Sequence, residues 1–540
     1  MEEKLWNACL NGKVEEVRTL LQNEQININW QDSQYSATPF WISCGKGHIE
    51  IVKLLLNDKI VDVNKANNDG FTPFYFACCN GHIEIVKLLL NDERIDINKA
   101  DNNGITPLCI VCHEGHIEVV KLLLNEKRVD INKADNNGIT PFFAACHEGH
   151  IEIVKLLLND TRVDINKAAN DITPFLVACY NGHIEVVSLL LNDKRIDINK
   201  ADNDGATPFF IACQNGHIEI VKLLLNDTRV DINKADNDGF TPFFVACWKG
   251  HIEIVKLLLE DQRVDIHKAE NNDDCTPFDI ACENGHIEVV KLILNDKRVD
   301  INKTNKYGST PFYRACGFGH IEVVKLLLNE KRVDINKANK NGITPFFAAC
   351  HEGHIEIVIL LLNDTRIDIN TTDNSDWTAF YVACAKGSME IVKLLLNDER
   401  VDINKETSDG TTPFYIACQF GHIEIVKLIL NDQRIDINKA KNNGATPFFI
   451  ACANGHIEIV KYMLASGREI DLNKKDNYGK PALDWTRQRA SSTQKNSYET
   501  EEEFQKAKRN CPKIVKLIES YQRNPIETRA NLRKELAICK

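Results

Sequence analysis

Residues 207–239 read TPFFIACQNGHIEIVKLLLNDTRVDINKADNDG, and this stretch decides the fold. Thr207 can cap a helix that begins at Pro208, because the N–H that proline lacks would have no partner at that position. Gly216 can take the left-handed conformation that ends the helix. The stretch therefore predicts a first short helix with an apolar face.

A second helix is predicted directly after the first. Residues 217–225 place isoleucine, valine and leucine at helical spacing. Glu219 lies near the positive N-terminal end, three residues before Lys222, so the pair is expected on the solvent side. The remaining residues predict an extended arm and a turn in which Gly239 has a positive φ.

The same unit recurs along most of the chain, with one threonine before each first helix. Residues 138–154 are identical to residues 342–358. Helices of about 8 to 10 residues are too short to be stable alone, so the units are expected to stack. The threonines follow at intervals of 33 to 35 residues: Thr38, Thr72, Thr106, Thr140, Thr173, Thr207, Thr241, Thr276, Thr310, Thr344, Thr378, Thr412 and Thr446.

This unit resembles the ankyrin repeat. TPF stands where the family has TPL, AC stands for its paired alanines, and G-H precedes a leucine-rich second helix. Bulky residues such as Phe210 and Phe244 fill the family's histidine position. The resemblance implies an all-α repeat solenoid: an elongated, curved stack of L-shaped units. It also implies that the turn tips, or fingers, line a concave binding face together with the first helices.

The repeats divide the 540 residues into four segments. Residues 1–36 are expected to form an N-terminal capping repeat, and residues 37–479 the tandem repeats. Residues 480–523 read as a divergent C-terminal capping repeat, interrupted near 491–510 by a polar stretch that is expected to be a mobile loop. Fourteen helix pairs are expected before this divergent unit.

Residues 524–540 form a basic tail with a helix signature. From Phe504 onward there are ten Lys or Arg against three Glu, a net of +7. Asn524, Pro525 and Glu527 match an N-cap, a first-turn proline and a capping-box partner. The tail is expected to cover the open end of the stack, and a separate docking motif is the alternative.

The cysteines follow the same period. Fourteen of the 19, which we call the slot cysteines, occupy one position of the repeat on the predicted packed face, and most of them follow an alanine. Their expected spacing across stacked helices exceeds the limit for a disulfide, so buried, reduced thiols are predicted. Cys79, Cys275 and Cys539 lie outside this position and are expected to react first with an alkylating agent.

Composition and charge exclude several classes of protein. The net charge of −12 excludes a globally basic nucleic-acid binder. Lysines recur at one position of successive repeats, a column that includes Lys65 and Lys234. They lie close to a column of aspartates that includes Asp96 and Asp231. This predicts an edge of the stack that is exposed to solvent and whose charges cancel. No apolar stretch suggests a signal peptide or a membrane span, so a soluble, cytoplasmic monomer is expected, with no membrane partner.

Several motifs imitate catalytic or metal sites without their full requirements. Residues 112–116 read CHEGH, but a glycine separates the histidines and fewer than four ligands converge. If Gly239 is the sixth residue of a calcium loop, Lys234 and Val245 stand where carboxylates are needed. No phosphate-binding loop follows the Gly-Lys pairs. We therefore expect no catalytic residue, no metal and no cofactor, and a structural role for the G-H histidines.

Specificity is expected where the repeats differ. Packing fixes most positions, but the residue before each threonine and the two residues after each slot cysteine vary. The resemblance places these positions on the concave side. Scattered surface aromatics are ordinary, yet aromatics dominate binding hot spots, so these positions predict a protein-binding surface. The candidate residues are Phe71, Tyr180, Gln214, Phe240, Trp248, Phe318, Trp377 and Phe420.

Two functions follow from this organisation. The first is a non-catalytic scaffold that binds one or more proteins on the concave face. The alternative is an adaptor that recruits an enzyme through its basic tail while the repeats hold a substrate protein. Tyr180, Gln214, Phe240 and Trp248 come from three consecutive repeats and could form the centre of one patch.

Three fingers are expected to be the weakest points of the array. Residues 168–172 are one residue shorter than a regular finger, and residues 269–275 are one residue longer. Both have lost the turn glycine, and residues 371–377 carry Asp376 in its place. Since repeat stability is close to a sum of local terms, these junctions should open first.

Overall fold

A computed structural model describes residues 1–495 and 500–537. The described residues form 31 α-helices and two isolated β-bridges, Ala169–Ile172 and Lys475–Pro481. They divide into two compact units, Met1–Asn271 and Asn272–Lys540. Fourteen helix pairs precede the divergent C-terminal helices, as the sequence predicted.

The first unit contains eight pairs of a first and a second helix. Its first helices are α1 (Glu2–Leu10), α3 (Pro39–Gly45), α5 (Pro73–Cys79), α7 (Pro107–Glu114), α9 (Pro141–Glu148), α11 (Pro174–Asn181), α13 (Pro208–Asn215) and α15 (Pro242–Lys249). Its second helices are α2 (Val14–Leu20), α4 (Ile49–Leu56), α6 (Ile83–Leu90), α8 (Ile117–Asn125), α10 (Ile151–Leu158), α12 (Ile184–Leu191), α14 (Ile218–Leu225) and α16 (Ile252–Glu260).

The second unit contains six further pairs and three C-terminal helices. Its first helices are α17 (Pro277–Glu283), α19 (Pro311–Gly317), α21 (Pro345–Glu352), α23 (Ala379–Lys386), α25 (Pro413–Phe420) and α27 (Pro447–Ala453). Its second helices are α18 (Ile287–Asn295), α20 (Ile321–Leu328), α22 (Ile355–Leu362), α24 (Met389–Leu396), α26 (Ile423–Leu430) and α28 (Ile457–Ala465). The last three are α29 (Ala482–Ser491), α30 (Glu501–Arg523) and α31 (Pro525–Glu535).

The local signals act as the sequence predicted. The hydroxyl oxygen of Thr207 accepts the backbone N–H of Phe210 at 3.2 Å, and Pro208 is the first residue of α13. Gly216 ends this helix at φ +80°. Lys222 and Glu219 pair at 2.7 Å on the exposed side of α14. The residues that start, end and stabilise the two helices of a repeat therefore lie within that repeat.

The core of each unit lies between consecutive repeats. First helices pack beside first helices and second beside second, for example α11 on α13 and α12 on α14. In the Thr207 repeat, Phe209, Cys213, Val221 and Leu224 are all buried. Repetition of this set extends the apolar layer through each unit.

The slot cysteines are buried and free, as expected. Burial raises the pKa of the Cys213 thiol well above its ordinary value, so the reactive thiolate is disfavoured. Cys79 is half-buried, and Cys539 lies outside the described residues. The expectation for Cys275 is wrong: it is only 4% exposed, because it precedes Thr276 at the base of a finger, and Asn305 lies 3.8 Å from its sulfur.

The G-H histidines connect consecutive repeats. The ring Nε2 of His217 donates to the backbone oxygen of Tyr180, in the preceding first helix, at 2.9 Å. His48 and His456 make the same contact with Leu10 and Gln419 at 3.1 and 2.9 Å. These rings satisfy carbonyl groups that a helix end leaves without a partner, which is a structural role.

Arginine and asparagine columns add contacts that the sequence did not reveal. Arg229 pairs with Asp227 and also donates to the backbone oxygen of Leu191, which ends the preceding second helix. Asn199 donates to the backbone oxygen of Arg229 at 2.7 Å and accepts the N–H of Asp231 at 2.9 Å. These bonds fix the register of one arm against the next.

The aspartates expected to neutralise the lysine column serve the backbone. A carboxylate oxygen of Asp231 accepts the N–H of Asn233 at 3.2 Å, and Asp96 binds that of Asn98 at 3.1 Å. The column therefore stabilises the turn of each arm.

The irregular fingers place residues other than glycine in the left-handed region. A regular finger has Gly239 at φ +88°, whereas Asn170, Asp171, Asp274 and Asp376 have φ of +47°, +64°, +55° and +62°. This conformation costs an L-residue free energy that glycine avoids. Earlier opening of these fingers stays a prediction, and the backbone supplies a reason for it.

The expectation of a loop near 491–510 is wrong for its second half. Residues 501–510 begin α30, because Thr500 and Glu503 form a capping box and Phe504 and Ala507 are buried. Asn510 also donates to the backbone oxygen of Gly455 at 3.0 Å.

The basic tail packs on the last regular repeat. Asn524 caps α31 as predicted, by accepting the N–H of Glu527. Arg533 donates to the backbone oxygen of Ala465, at the end of α28, at 2.8 Å. Lys461 of α28 pairs with Glu535 at 2.7 Å. The tail therefore contacts the last regular repeat, and its role as a cover for the open end of the stack stays a prediction.

Candidate functional site

The aromatic residues that precede a threonine are partly used in packing. Phe71, Phe240 and Trp377 each lie over the ring four residues later, because the helix begins between them and brings the two positions together. The centroid distances are 4.8 Å for Phe71–Tyr75, 5.0 Å for Phe240–Phe244 and 5.3 Å for Trp377–Tyr381. Only the outer side of each ring is left for a ligand.

Three of the four aromatic residues that follow a slot cysteine project further than the half-buried Trp248. Tyr180, Phe318 and Phe420 are 54%, 55% and 54% exposed. Each lies at the end of a first helix, where the chain turns into the second helix and no further helical turn covers the side chain. These side chains are available to another molecule.

Three of the candidate residues surround one pocket of the first unit, which we call the Phe240 pocket. Its volume is about 490 Å³. The rings of Phe240 and Trp248 lie 5.6 Å apart between centroids. Gln214, Phe210, Ile211, Val245 and Ala206 complete its uncharged lining, and Asp202, Asp204, Asp236, Asn237 and Asp238 form its rim.

The finger before α15 positions the aromatic side of this pocket. Asp236 accepts the N–H of Phe240 at 2.8 Å, and its own N–H donates to the backbone oxygen of Phe240 at 3.0 Å. Trp248 follows Cys247 at the end of α15. The ammonium of Lys249 lies 4.8 Å from the centroid of the Trp248 ring. The pocket therefore has one wall from a finger and one from a helix end.

The four aspartates were missing from the set predicted by sequence. Asp202 and Asp236 bind backbone N–H groups within their fingers, and burial raises the pKa of Asp236 above its ordinary value. Asp204 and Asp238 lie exposed at the finger tips. Their signal was the acidic residue before the turn glycine in two consecutive repeats.

The structure does not gather all the candidates into one site. Tyr180 lies at the end of α11, one repeat before Gln214, and does not line the Phe240 pocket. Phe318 lines a separate pocket of about 560 Å³ in the second unit, where the Arg314 guanidinium lies 5.5 Å from its ring centroid. Trp377 and Phe420 line neither of these pockets.

The CHEGH motif forms hydrogen bonds between neighbours. Nδ1 of His113 lies 3.1 Å from Oε1 of Glu114, and its Nε2 lies 3.5 Å from Oε1 of Glu148 in the next repeat. Nδ1 of His147 lies 2.5 Å from the same oxygen of Glu148. Over residues 1–495 and 500–537, no group of three or more His, Cys, Asp or Glu side chains is arranged to hold a metal ion. Within the same residues, no helix combines the length and the apolar character needed to cross a membrane.

Comparison with protein-family models agrees with the geometry of the helix pairs. A model described as "Ankyrin repeats (3 copies)" matches residues 5–101, 93–169, 161–236, 228–305, 278–373 and 365–441. A second, described as "Ankyrin repeats (many copies)", matches residues 420–464. The chain belongs to the ankyrin repeat family.

This membership confirms the resemblance and the all-α repeat solenoid. Ankyrin repeats generally serve as protein–protein interaction modules, and the family is typically non-catalytic. A comparison with curated proteins gave no significant match.

Proposed function

We propose that this ankyrin repeat protein is a non-catalytic scaffold that holds partner proteins on the face formed by its first helices and fingers. The placement of large aromatic side chains at the variable positions of nearly uniform repeats supports this function. Aromatic residues carry much of the energy of protein interfaces, and packing within the repeat does not require them there.

In the first unit we place the centre of this contact at the Phe240 pocket, with Tyr180 on the neighbouring repeat. Phe240 and Trp248 offer rings that are held by the fold before a partner arrives, which lowers the entropy cost of binding. We also propose a cytoplasmic location, which the free thiols of the described cysteines support.

Site-specific photo-crosslinking tests where partners bind. The photoreactive residue p-benzoylphenylalanine replaces Gln214, which lines the pocket, or Lys222, which lies on the exposed side of α14. Irradiation in cells followed by mass spectrometry should give protein adducts from position 214 and none from position 222. Adducts from position 222 alone would contradict the proposal.

The identified partner then allows an affinity measurement. Trp248→Ala and Tyr180→Ala should each weaken binding by about 1 to 3 kcal/mol in calorimetry, as hot-spot truncations commonly do, without shifting the melting curve. Ile252→Ala is the control, since Ile252 is an exposed apolar residue of α16. Unchanged affinity for the double variant would refute this placement, and so would an equal loss for the control.

A further inference from the structure

The Phe240 pocket combines aromatic rings with carboxylates, and this combination suggests what kind of partner residue it binds. The inference rests on the proposed function of the same site. Its lining contains four aspartates and neither lysine nor arginine. The ammonium of Lys249 lies 4.8 Å from the centroid of the Trp248 ring, so this ring already attracts a cation of the chain itself.

Two of the four carboxylates, those of Asp204 and Asp238, are available for a ligand. Those of Asp202 and Asp236 accept backbone N–H groups of Ala206 and Phe240 at 2.9 and 2.8 Å. Asp204 and Asp238 are exposed, and within the described parts of the chain neither forms an ion pair with a lysine or arginine. The rim therefore carries negative charge that the fold does not neutralise.

The second unit shows the same finger position in a neutralised form. Asp273 pairs with Lys306 of the next finger at 2.6 Å. Lys306 occupies the same finger position relative to Asp273 that Asn237 occupies relative to Asp204. The two backbone bonds correspond, because the N–H of Lys306 donates to Asp273 at 2.8 Å and that of Asn237 donates to Asp204 at 2.9 Å. The side chains correspond as well, because those of Lys306 and Asn237 donate to the backbone oxygens of Asn272 and Asn203 in the preceding fingers.

The chain also contains an internal example of the expected contact. The guanidinium of Arg314 lies 5.5 Å from the centroid of the Phe318 ring and forms an ion pair with Glu283. A planar guanidinium can stack on an aromatic face while its N–H groups donate to a carboxylate. In that repeat the chain supplies its own arginine, whereas the Phe240 pocket has none in its lining.

We propose that the Phe240 pocket binds an arginine side chain carried by an extended segment of the partner protein. The guanidinium stacks on the aromatic side formed by Phe240 and Trp248 and donates hydrogen bonds to Asp204 and Asp238. Its charge complements the acidic rim, and its planar fork of N–H groups suits hydrogen bonds to more than one carboxylate.

The test begins with a probe that does not require the natural partner. A random displayed peptide library is selected against the full chain, and the selected peptides are synthesised with arginine or with citrulline. Citrulline keeps the size of arginine and removes its charge. Fluorescence anisotropy then gives the Kd of each peptide at low and high salt.

Three variants of the protein separate the contributions. Asp204→Asn with Asp238→Asn removes the rim charge, and Asn237→Lys introduces the lysine that the second unit already tolerates at the equivalent position. Asp273→Asn is the control, since that carboxylate is neutralised by Lys306. We expect about a tenfold or greater loss of affinity for citrulline, for the double variant and for Asn237→Lys, with none for the control.

The combination of changes gives the sharpest outcome. If the peptide arginine contacts the two rim carboxylates, replacing it with citrulline should cause no further loss of affinity in the variant that carries both Asp204→Asn and Asp238→Asn. A selection that enriches no arginine, or peptides that bind the double variant unchanged, would overturn the proposal. If such peptides still lose affinity with Trp248→Ala, the scaffold function stands and only the arginine assignment fails. If no binding depends on Trp248, both fail.

Discussion

The histidine contacts between repeats can be tested with two glycines that differ in one neighbour. Gly216 and Gly353 both end a first helix, with φ of +80° and +87°. A Cβ added at Gly216 would lie 2.8 Å from the ring of His251, whereas one added at Gly353 would meet nothing within 4 Å. The reason is that Ser388 stands in the following repeat where twelve other repeats have histidine.

The expected costs follow from these two environments. Alanine in the left-handed conformation costs about 1 to 2 kcal/mol, partly offset because alanine loses less backbone entropy than glycine. Gly353→Ala should therefore destabilise its repeat by about 1 kcal/mol. Gly216→Ala carries the same cost and also displaces His251 from the backbone oxygen of Gln214, at 2.9 Å. Loss of that hydrogen bond adds about 0.5 to 1.5 kcal/mol.

Native-state hydrogen exchange is the suitable assay, because a repeat array need not unfold in a single step. The free energies of opening of α14 and α16 are measured for Gly216→Ala, and those of α22 and α24 for Gly353→Ala. His251→Ser reproduces the natural sequence at Ser388 and serves as the partner in a double-variant cycle. Gly216→Ala should cost less in this background than in the natural one.

Equal losses for the two alanine variants would refute this reasoning. So would additive effects of Gly216→Ala and His251→Ser. Either result would mean that the histidine ring is not held firmly enough for the Cβ to displace it, and that the G-H column contributes little to the stacking of repeats.

Three further predictions concern backbone strain, thiol reactivity and pH. Asp376→Gly should relieve a left-handed conformation and raise the free energy of opening of residues 371–377 by up to about 1 kcal/mol, so their hydrogen exchange should slow; faster exchange would contradict this. Brief alkylation followed by mass spectrometry should modify Cys79 before Cys213 and Cys275, and equal rates would mean that the buried helix face is misassigned. Burial raises the pKa of Asp279 to about 6, so the fold favours its protonated form, and the stability of α17 should fall as pH rises from about 4 to about 7. Asp279→Asn should remove this pH dependence in urea unfolding curves, and an unchanged slope would refute the assignment.

The elements of each repeat could be predicted because their signals are local. A threonine cap, a first-turn proline and a C-terminal glycine lie within ten residues of one another, and each acts on the helix that contains it. The helix at residues 501–510 was missed for a related reason. Its buried residues Phe504 and Ala507 have helical spacing with Cys511 in the next turn, but the other eight residues of this stretch are polar and hide a face that only the last repeat completes.

The contacts between repeats could not be predicted from one sequence. Arg229 reaches Leu191 and Asn199 reaches Arg229 across 38 and 30 residues. The period alone shows that such residues are neighbours in adjacent units, but it does not show which atoms meet. The aspartate column illustrates this, because Asp231 binds a backbone N–H of its own arm rather than a lysine.

The proposed binding site has the same dependence on adjacency. Variability identified Phe240 and Trp248, since neither is needed for packing in other repeats. The same criterion passed over Asp204 and Asp238, because aspartate is common in fingers and usually serves the turn. Under the arginine proposal, a finger carboxylate becomes a ligand group only where the next finger lacks a lysine and an aromatic ring lies beside it. In an array of near-identical units, we therefore expect recognition to be encoded in pairs of neighbouring repeats, and a change such as Asn237→Lys should remove the proposed site without altering the packing of the aromatic residues beside it.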